Sequence, residues 1–177
     1  MAHRHIALLR GINVGKAKRV AMADLRALLE KLGYTDVKTL LNSGNIVFTS
    51  TSNNTRAVGT RLEKEIEAKL GVQARVMVLS SKELTAIIKE NSLLKVMDNP
   101  SRLLVGVVNE PTDLAKIESL RKQEWGNDAL AVGKLASYLW CHDGILESKL
   151  LAVFSKLLKD SVTTRNWSTI LKLQDML

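Results

Sequence analysis

Hydrophobic residues in the first half of the chain follow two spacings, one typical of strands and one typical of helices. Short apolar runs predict buried or half-buried strands at residues 5–9, 37–41, 46–48 and 76–79. Apolar residues that recur on one helical face predict helices at residues 22–32 and 58–70, and each of these segments is followed by a glycine, Gly33 or Gly71. The first half therefore predicts the order strand, helix, strand, strand, helix, strand.

The second half repeats this order. Strands are predicted at residues 103–108, 129–132, 135–140 and 162–164, with helices at 114–120 and 150–158. A further helix follows each half: one begins at Ser80 with Glu83 at capping-box spacing, and the other runs from Trp167 towards the end of the chain. No residue-level repeat accompanies this order, so a duplication is inferred from the element order alone.

This order predicts an α+β protein built as a tandem duplication of two ferredoxin-like (βαββαβ) units, each followed by an extra helix. The segment MDNPS at residues 97–101 is the best linker candidate. We therefore expect a first unit at residues 1–96 and a second at residues 100–177, packed as one compact body.

The ferredoxin-like topology has a consequence for the stretch LLRGINVG at residues 8–15. The first and second strands run in the same direction, so the exit of strand one and the turn NSGN lie at the same end of the sheet. Ser43-Gly44 is the predicted tip of that turn. We expect this corner to bring together Arg10, Asn13, Asn42, Ser43 and Asn45. The equivalent corner of the second half, with NEPTD and GK, has no comparable set.

The distribution of charge along the chain also draws attention to this corner of the predicted sheet. The net charge is +8, and five basic residues precede the first acidic residue, Asp24. They are Arg4, Arg10, Lys16, Lys18 and Arg19. Such asymmetry favours a phosphate-bearing or otherwise acidic partner, although a basic surface that serves solubility is an equally good explanation.

Composition places the chain among ordinary globular proteins, with 46% hydrophobic and 25% charged residues. No apolar run approaches the roughly 20 residues that span a bilayer, and no signal peptide is recognised, so no membrane association is expected. Cys141 is the single cysteine, which excludes an intramolecular disulfide and fits a reducing compartment. The expected location is cytoplasmic.

The stretch GINVGKA resembles a phosphate-binding loop but departs from it. A P-loop needs four residues between its glycines and a hydroxyl after the lysine, whereas here the spacing is one residue short and Ala17 follows Lys16. Backbone N–H groups around Gly15 still suit an anion. The structural alternative is a tight turn in which Asn13 hydrogen-bonds the local backbone.

A second candidate lies in TTRNW near the end of the chain. Arg165 offers a bidentate fork for phosphate or carboxylate, or else it bridges the last helix to carbonyls or a carboxylate. Thr164 or Asn166 is expected to cap that helix.

Cys141 and His142 are adjacent on a strand and point to opposite faces, which argues against a catalytic pair. The sequence predicts no metal site and no cofactor.

Three classes of function follow. Non-catalytic binding of a small anionic ligand or of a protein partner ranks first. An enzyme for a small phosphorylated or carboxylated substrate ranks second, because no general base or nucleophile is identified. Phosphate-directed nucleic-acid binding ranks third, because strands one and three offer one aromatic residue, Phe48, for base stacking. Self-association through a sheet edge stays open, and the sequence does not specify the oligomeric state.

Several motifs together resemble the bacterial family of domain of unknown function 1697. They are ALLRGINVG, MADLRALLEKLGY, LNSGNIVF, SKL and TTRNWSTILKL, and they span nearly the whole chain in order. The resemblance implies a two-part α+β fold related to ferredoxin-like units, and it carries no established activity, substrate or catalytic residues. The recurrent polar positions map onto Arg10, Gly11, Asn13, Gly15, Ser43, Gly44, Asn45, Arg165, Asn166 and Trp167.

Overall fold

A computed structural model describes residues 1–15, 18–110 and 112–177, and these residues form an α+β fold with two four-stranded antiparallel sheets and six α-helices. The strands are β1 His3–Arg10, β2 Thr35–Leu40, β3 Asn45–Ser50, β4 Arg75–Ser80, β5 Leu103–Val108, β6 Ala129–Val132, β7 Ala136–Trp140 and β8 Val162–Asn166. The helices are α1 Met22–Lys31, α2 Thr55–Leu70, α3 Ser81–Glu90, α4 Thr112–Arg121, α5 Lys149–Leu158 and α6 Trp167–Asp175. Short 3-10 turns occupy Ser92–Lys95 and Lys159–Ser161.

Each strand and helix predicted from the hydrophobic pattern is present in the described chain. The two hairpin loops are longer than their predicted two-residue tips. Residues 41–44 separate β2 from β3, and residues 133–135 separate β6 from β7. In the second hairpin, Gly133 N–H donates to the carbonyl of Ala136 at 2.8 Å, which closes the loop one residue later than the sequence pattern indicates.

Both sheets have the same strand order relative to their own elements: β2-β3-β1-β4 and β6-β7-β5-β8. In the first sheet β1 pairs antiparallel with both β3 and β4, and β2 pairs antiparallel with β3. Strands β1 and β2 therefore run in the same direction, with β3 between them. The exit of β1 and the β2–β3 loop consequently lie at the same end of the sheet.

The chain divides into two compact units. The first comprises Met1–Leu84 together with Leu173–Leu177, and the second comprises Thr85–Lys172. A hydrogen bond of 2.9 Å from Arg4 Nη2 to the carbonyl of Met176 attaches the last residues to the first unit. The division predicted from the sequence, into units at residues 1–96 and 100–177, is based on the order of strands and helices, and it stays a prediction.

The core of the first unit lies between its sheet and helices α1 and α2. Residues spaced four apart on α2 are buried, as predicted, and they pack in one cluster with Leu9, Leu29 and Phe48. Helix α2 begins where the Asn54 side chain accepts a hydrogen bond from Ala57 N–H. It ends at Gly71, whose φ of 67° is the left-handed conformation common after helices.

The predicted capping box at the start of α3 is present. Ser80 Oγ accepts from the N–H of Glu83 at 3.2 Å, and Glu83 Oε2 accepts from the N–H of Ser80 at 2.7 Å. Two backbone donors that have no partner within the helix are thereby satisfied. This local signal determines where β4 ends and α3 begins.

The core of the second unit contains the single cysteine. Cys141 is fully buried in a cluster with Leu104, Leu139 and Phe154. Burial raises the pKa of its thiol, because the charged thiolate loses hydration there. A buried thiol held in its neutral form is a packing group and a poor nucleophile.

We expect Cys141 to resist thiol reagents in the folded protein. Its reaction with a disulfide reagent such as DTNB under native conditions is expected to be at least about a hundredfold slower than in denaturant, because attack needs an accessible thiolate. The release of thionitrobenzoate measures both rates. Equal rates in native and denatured protein would show that the thiol is exposed in solution.

Candidate functional site

The exit of β1 and the β2–β3 hairpin meet at one corner of the first unit. The N–H of Leu9 donates to the carbonyl of Gly44 at 2.8 Å, and Asn13 Nδ2 donates to the carbonyl of Asn42 at 2.7 Å. We call these two segments, residues 8–15 with 18–20 and residues 41–45, the β1 corner. Six of the predicted site residues lie among its described residues: Arg10, Asn13, Gly15, Asn42, Ser43 and Asn45.

Asn13 joins the two segments of the β1 corner through its side chain. Besides Asn42, its Nδ2 donates to the carbonyl of Val20 at 2.9 Å, and its Oδ1 accepts from the N–H of Val20 at 2.9 Å. The backbone of Asn13 has a φ of 53°, a conformation that asparagine tolerates better than most residues. The amide is thus engaged by backbone groups, which is the structural alternative foreseen for this residue.

Asn45 has a similar internal role. It is fully buried at the start of β3, and its Nδ2 donates to the carbonyl of Leu40 at 2.8 Å and to Ser43 Oγ at 2.9 Å. These bonds close the hairpin loop from inside. Asn42 and Ser43 remain on the exposed side of that loop.

Two glycines of the β1 corner differ in what they require. Gly44 has a φ of 78°, and a Cβ built on it would lie 2.7 Å from both Leu9 Cβ and Ile12 Cδ1. Glycine at this position therefore lets the hairpin approach β1 closely. Gly15 has a φ of 61° with no atom near a built Cβ, so its backbone angle is its sole requirement. Lys16, also a predicted site residue, lies outside the described residues.

Cationic side chains gather around the corner. Arg10 lies directly opposite Arg75 in the β1–β4 register, and directly opposite residues of an antiparallel pair project from the same face of the sheet. Lys18 Nζ lies 4.0 Å from the position of a Cβ built on Gly11. The carboxylate of Glu63 is paired there: its Oε2 is 3.6 Å from Arg75 Nη1, and its Oε1 accepts from the N–H of Val76.

Sequence reasoning missed the contribution of Arg75. The residue begins a strand 65 positions after Arg10, with no motif around it. The topology itself contained the signal, because the fourth strand runs antiparallel beside the first and therefore begins where the first ends. The register of β1 against β4 was needed to pair the two arginines.

Arg165 belongs to the second unit, on β8 opposite Val105. Its Nη1 donates to the carbonyl of Thr164 at 2.8 Å. The neighbouring Asn166 caps α6, since its Oδ1 accepts from the N–H of Thr169 at 3.0 Å. Of the two caps considered from the sequence, Thr164 and Asn166, the asparagine therefore performs this role.

The side chains that could bind a metal ion or act as a nucleophile do not form a cluster in the described residues. No group of three or more His, Cys, Asp or Glu side chains there is arranged to hold a metal ion. His142 Nδ1 lies 2.9 Å from Asp143 Oδ1 on the surface, whereas the adjacent Cys141 is buried. Within the same residues, every helix is too short or too polar to cross a bilayer.

The role of Asn13 can be measured through stability. Asn13→Ala should lower the free energy of unfolding by about 2–4 kcal/mol, because it removes three hydrogen bonds and places alanine in a left-handed conformation. Asn13→Gly keeps the backbone conformation and should cost about 1–2 kcal/mol less than the alanine variant. Urea unfolding measures both values.

Asn42→Ala is the matched control for this measurement. Asn42 is exposed in the same corner and contributes its backbone carbonyl to Asn13, so the substitution should change stability by less than about 0.5 kcal/mol. If Asn13→Ala were as mild as Asn42→Ala, the side-chain bridge would not hold the corner together.

Comparison with known proteins agrees with the resemblance noted from the motifs. The chain is similar over its length to the solved structure described as "conserved bacterial protein SP0830 from Streptococcus pneumoniae", with 26% sequence identity, 99% of each chain covered and a TM-score of 0.81. No curated protein matches the chain. A family model described as "Protein of unknown function (DUF1697)" matches residues 2–138. Since this match spans well over half of the 177 residues, the chain belongs to the DUF1697 family.

Proposed function

We propose that the first unit binds a small anionic ligand at the β1 corner and does not transform it. The observation that carries this proposal is the pairing of Arg10 with Arg75 across β1 and β4, beside Lys18. Like charges directly opposite each other in a sheet are destabilising. A bound anion would offset this repulsion.

The charge balance of the corner supports an anion rather than a cation as the ligand. Glu63 pairs with Arg75 at 3.6 Å, and the Arg75 side chain nevertheless remains more than half exposed. The basic residues Lys18 and Arg19 follow on the same loop, and both belong to the cluster that precedes the first acidic residue. An exposed group of basic side chains of this kind raises the local concentration of anions.

Binding without catalysis fits the side chains that the corner offers. Asn13 and Asn45 are occupied by backbone and hairpin bonds, and the carboxylate of Glu63 already accepts a backbone N–H and pairs with Arg75. A general base needs a free lone pair directed at substrate. The described residues of the corner supply guanidinium, ammonium and hydroxyl donors instead.

A protein partner is the second candidate, and two exposed side chains favour it. Val14 is 73% exposed and Leu41 is 55% exposed, one on each segment of the corner. Leu41 also has a φ of 59°, which is rare for a leucine and presents its side chain at the hairpin tip. Apolar side chains beside basic ones would suit an acidic peptide with a hydrophobic anchor.

For the fold, the proposal is a tandem duplication of two ferredoxin-like units, each followed by an extra helix. The same strand order in both sheets supports it, because in each sheet the first strand lies between the third and the fourth. Helices α3 and α6 follow the last strands β4 and β8 directly. The lack of a residue-level repeat implies that the halves have diverged in sequence.

Thermal unfolding with pyrophosphate and with citrate as probes tests anion binding at the corner. A probe at ten times its dissociation constant should stabilise the protein by about 1.4 kcal/mol, seen as a raised midpoint. Arg10→Gln and Arg75→Gln should each diminish that rise. Lys122→Gln removes the same charge from an exposed position of the second unit and should leave the rise unchanged.

Other outcomes of these measurements would favour a different function. If all three variants lost the rise equally, general charge rather than the corner would explain it. If oligonucleotides stabilised the protein with a steep dependence on salt while pyrophosphate and citrate did not, phosphate-directed nucleic-acid binding would take its place. If no anion acted, the protein-partner candidate would be the one to pursue.

A further inference from the structure

A small cavity opens at the other end of the first sheet, away from the β1 corner. It has a volume of about 230 Å³ and lies between the end of α1, the residues that follow β3 and the first two turns of α2. On the side of the sheet the cavity is lined by Ser50, which lies opposite His3 at the start of β1. The sequence motifs gave no reason to examine this place.

The strand side of the cavity is held by hydrogen bonds. His5 Nε2 lies 2.9 Å from the carbonyl of Ser52, which fixes that residue to the sheet. Ser50 Oγ accepts from the N–H of Ser52 at 3.1 Å, and Ser52 Oγ accepts from the N–H of Asn54 at 3.2 Å. The cavity wall therefore has a defined geometry before any ligand binds.

Hydroxyl donors without acceptors line this cavity. Tyr34 is 94% buried as a residue, and in the described part of the chain its hydroxyl makes no hydrogen bond to protein and remains accessible from the cavity. Ser50 and Ser52 use their oxygens as acceptors, and their own protons have no acceptor among those residues. Each of these hydroxyl groups therefore has a proton to donate to an acceptor that enters the cavity, whether a ligand oxygen or water.

Arg61 contributes the one charged side chain of the lining. Its guanidinium Cζ is 5.6 Å from the centroid of the Tyr34 ring, and its Nη2 donates to the carbonyl of Leu32 at 3.2 Å. The described residues place no carboxylate within ion-pair distance of it, and the lining contains no acidic residue. The guanidinium is thus oriented by stacking and by one hydrogen bond, with further N–H donors remaining.

The start of α2 adds to the same charge bias. Ala57 and Val58 line the cavity from the first turns of this 16-residue helix. The N-terminal end of a helix carries partial positive charge. The N–H groups of Ala57 and Val58 already donate to Asn54, so the helix contributes its partial charge, while the hydroxyl groups and the guanidinium supply the hydrogen-bond donors of the cavity.

We propose that this Tyr34–Arg61 cavity binds an oxyanion group, carboxylate or phosphate, of a small molecule. Arg61 supplies the charge, and Tyr34, Ser50 and Ser52 supply hydrogen bonds to the oxygens. The volume limits the bound part to a few heavy atoms beyond the oxyanion, since drug-sized ligands occupy roughly 300–1,000 Å³. The apolar side chains of Leu32 and Val58 face that remainder.

Titration of the whole protein by ¹⁵N–¹H NMR tests the site, with inorganic phosphate and acetate as probes and methylammonium as the opposite charge. Saturable shifts are expected at the amides of Ser52, Ala57 and Val58. Shifts with phosphate alone, with acetate alone or with both support the site, and the pattern identifies which oxyanion the site accepts. Methylammonium should produce none.

Variants link these shifts to the proposed donors. Arg61→Gln should weaken binding by at least about tenfold, and Tyr34→Phe by roughly two- to tenfold. Lys64→Gln removes a charge three residues along the same helix from an exposed position and should leave binding unchanged. Arg61→Lys keeps the charge without the fork and provides a second test if Arg61→Gln does not fold.

Three results would overturn the proposal. They are an absence of saturable shifts with both anions, equal shifts with methylammonium, and shifts that survive Arg61→Gln and Tyr34→Phe in folded protein. Shifts confined to Gly11 and Gly44 would place anion binding at the β1 corner alone. The two proposed sites are therefore separated by which amides respond.

Discussion

The pairing of β1 on both of its edges is the constraint on which the rest of the first unit depends. Its register with β3 and β4 determines which side chains meet at each end of the sheet. At the exit of β1 this register places Arg10 beside Arg75. At the start of β1 it places Ser50, and with it the cavity wall, opposite His3. At neither end of the sheet does a local sequence motif indicate that these residues lie next to each other.

Asn13 shows why a polar motif in a loop does not by itself identify a ligand site. The residue has the properties that suggested anion binding, a short amide beside glycines after a buried strand. Its amide nevertheless satisfies backbone groups at Val20 and Asn42. Buried or half-buried loop backbone requires such partners, because unpaired N–H and C=O groups cost free energy. The motif in this protein builds the corner, and the proposed anion binding depends on the cationic side chains around it.

The strands and helices could be predicted because their signals are local. Spacing of apolar residues, Gly71 after a helix and the Ser80–Glu83 capping box all act over a few positions. The shared end of β1 and the hairpin followed from topology. The Arg10–Arg75 pair and the Tyr34–Arg61 stacking could not be predicted, because each joins residues far apart through register or helix packing. On the sequence, Arg61 is one charge among several on α2.

Basic side chains lie at both ends of the first sheet, and their positions bear on how the net charge of the protein is interpreted. A charge of +8 spread evenly over the surface would favour solubility alone. Here Arg75 has one carboxylate near it, and Arg61 has none within ion-pair distance among the described residues. Arginine at both places carries a planar fork that suits carboxylate and phosphate oxygens. Basic side chains of the first unit therefore lie at specific positions at both ends of its sheet, and we propose oxyanion recognition as the reason for this arrangement.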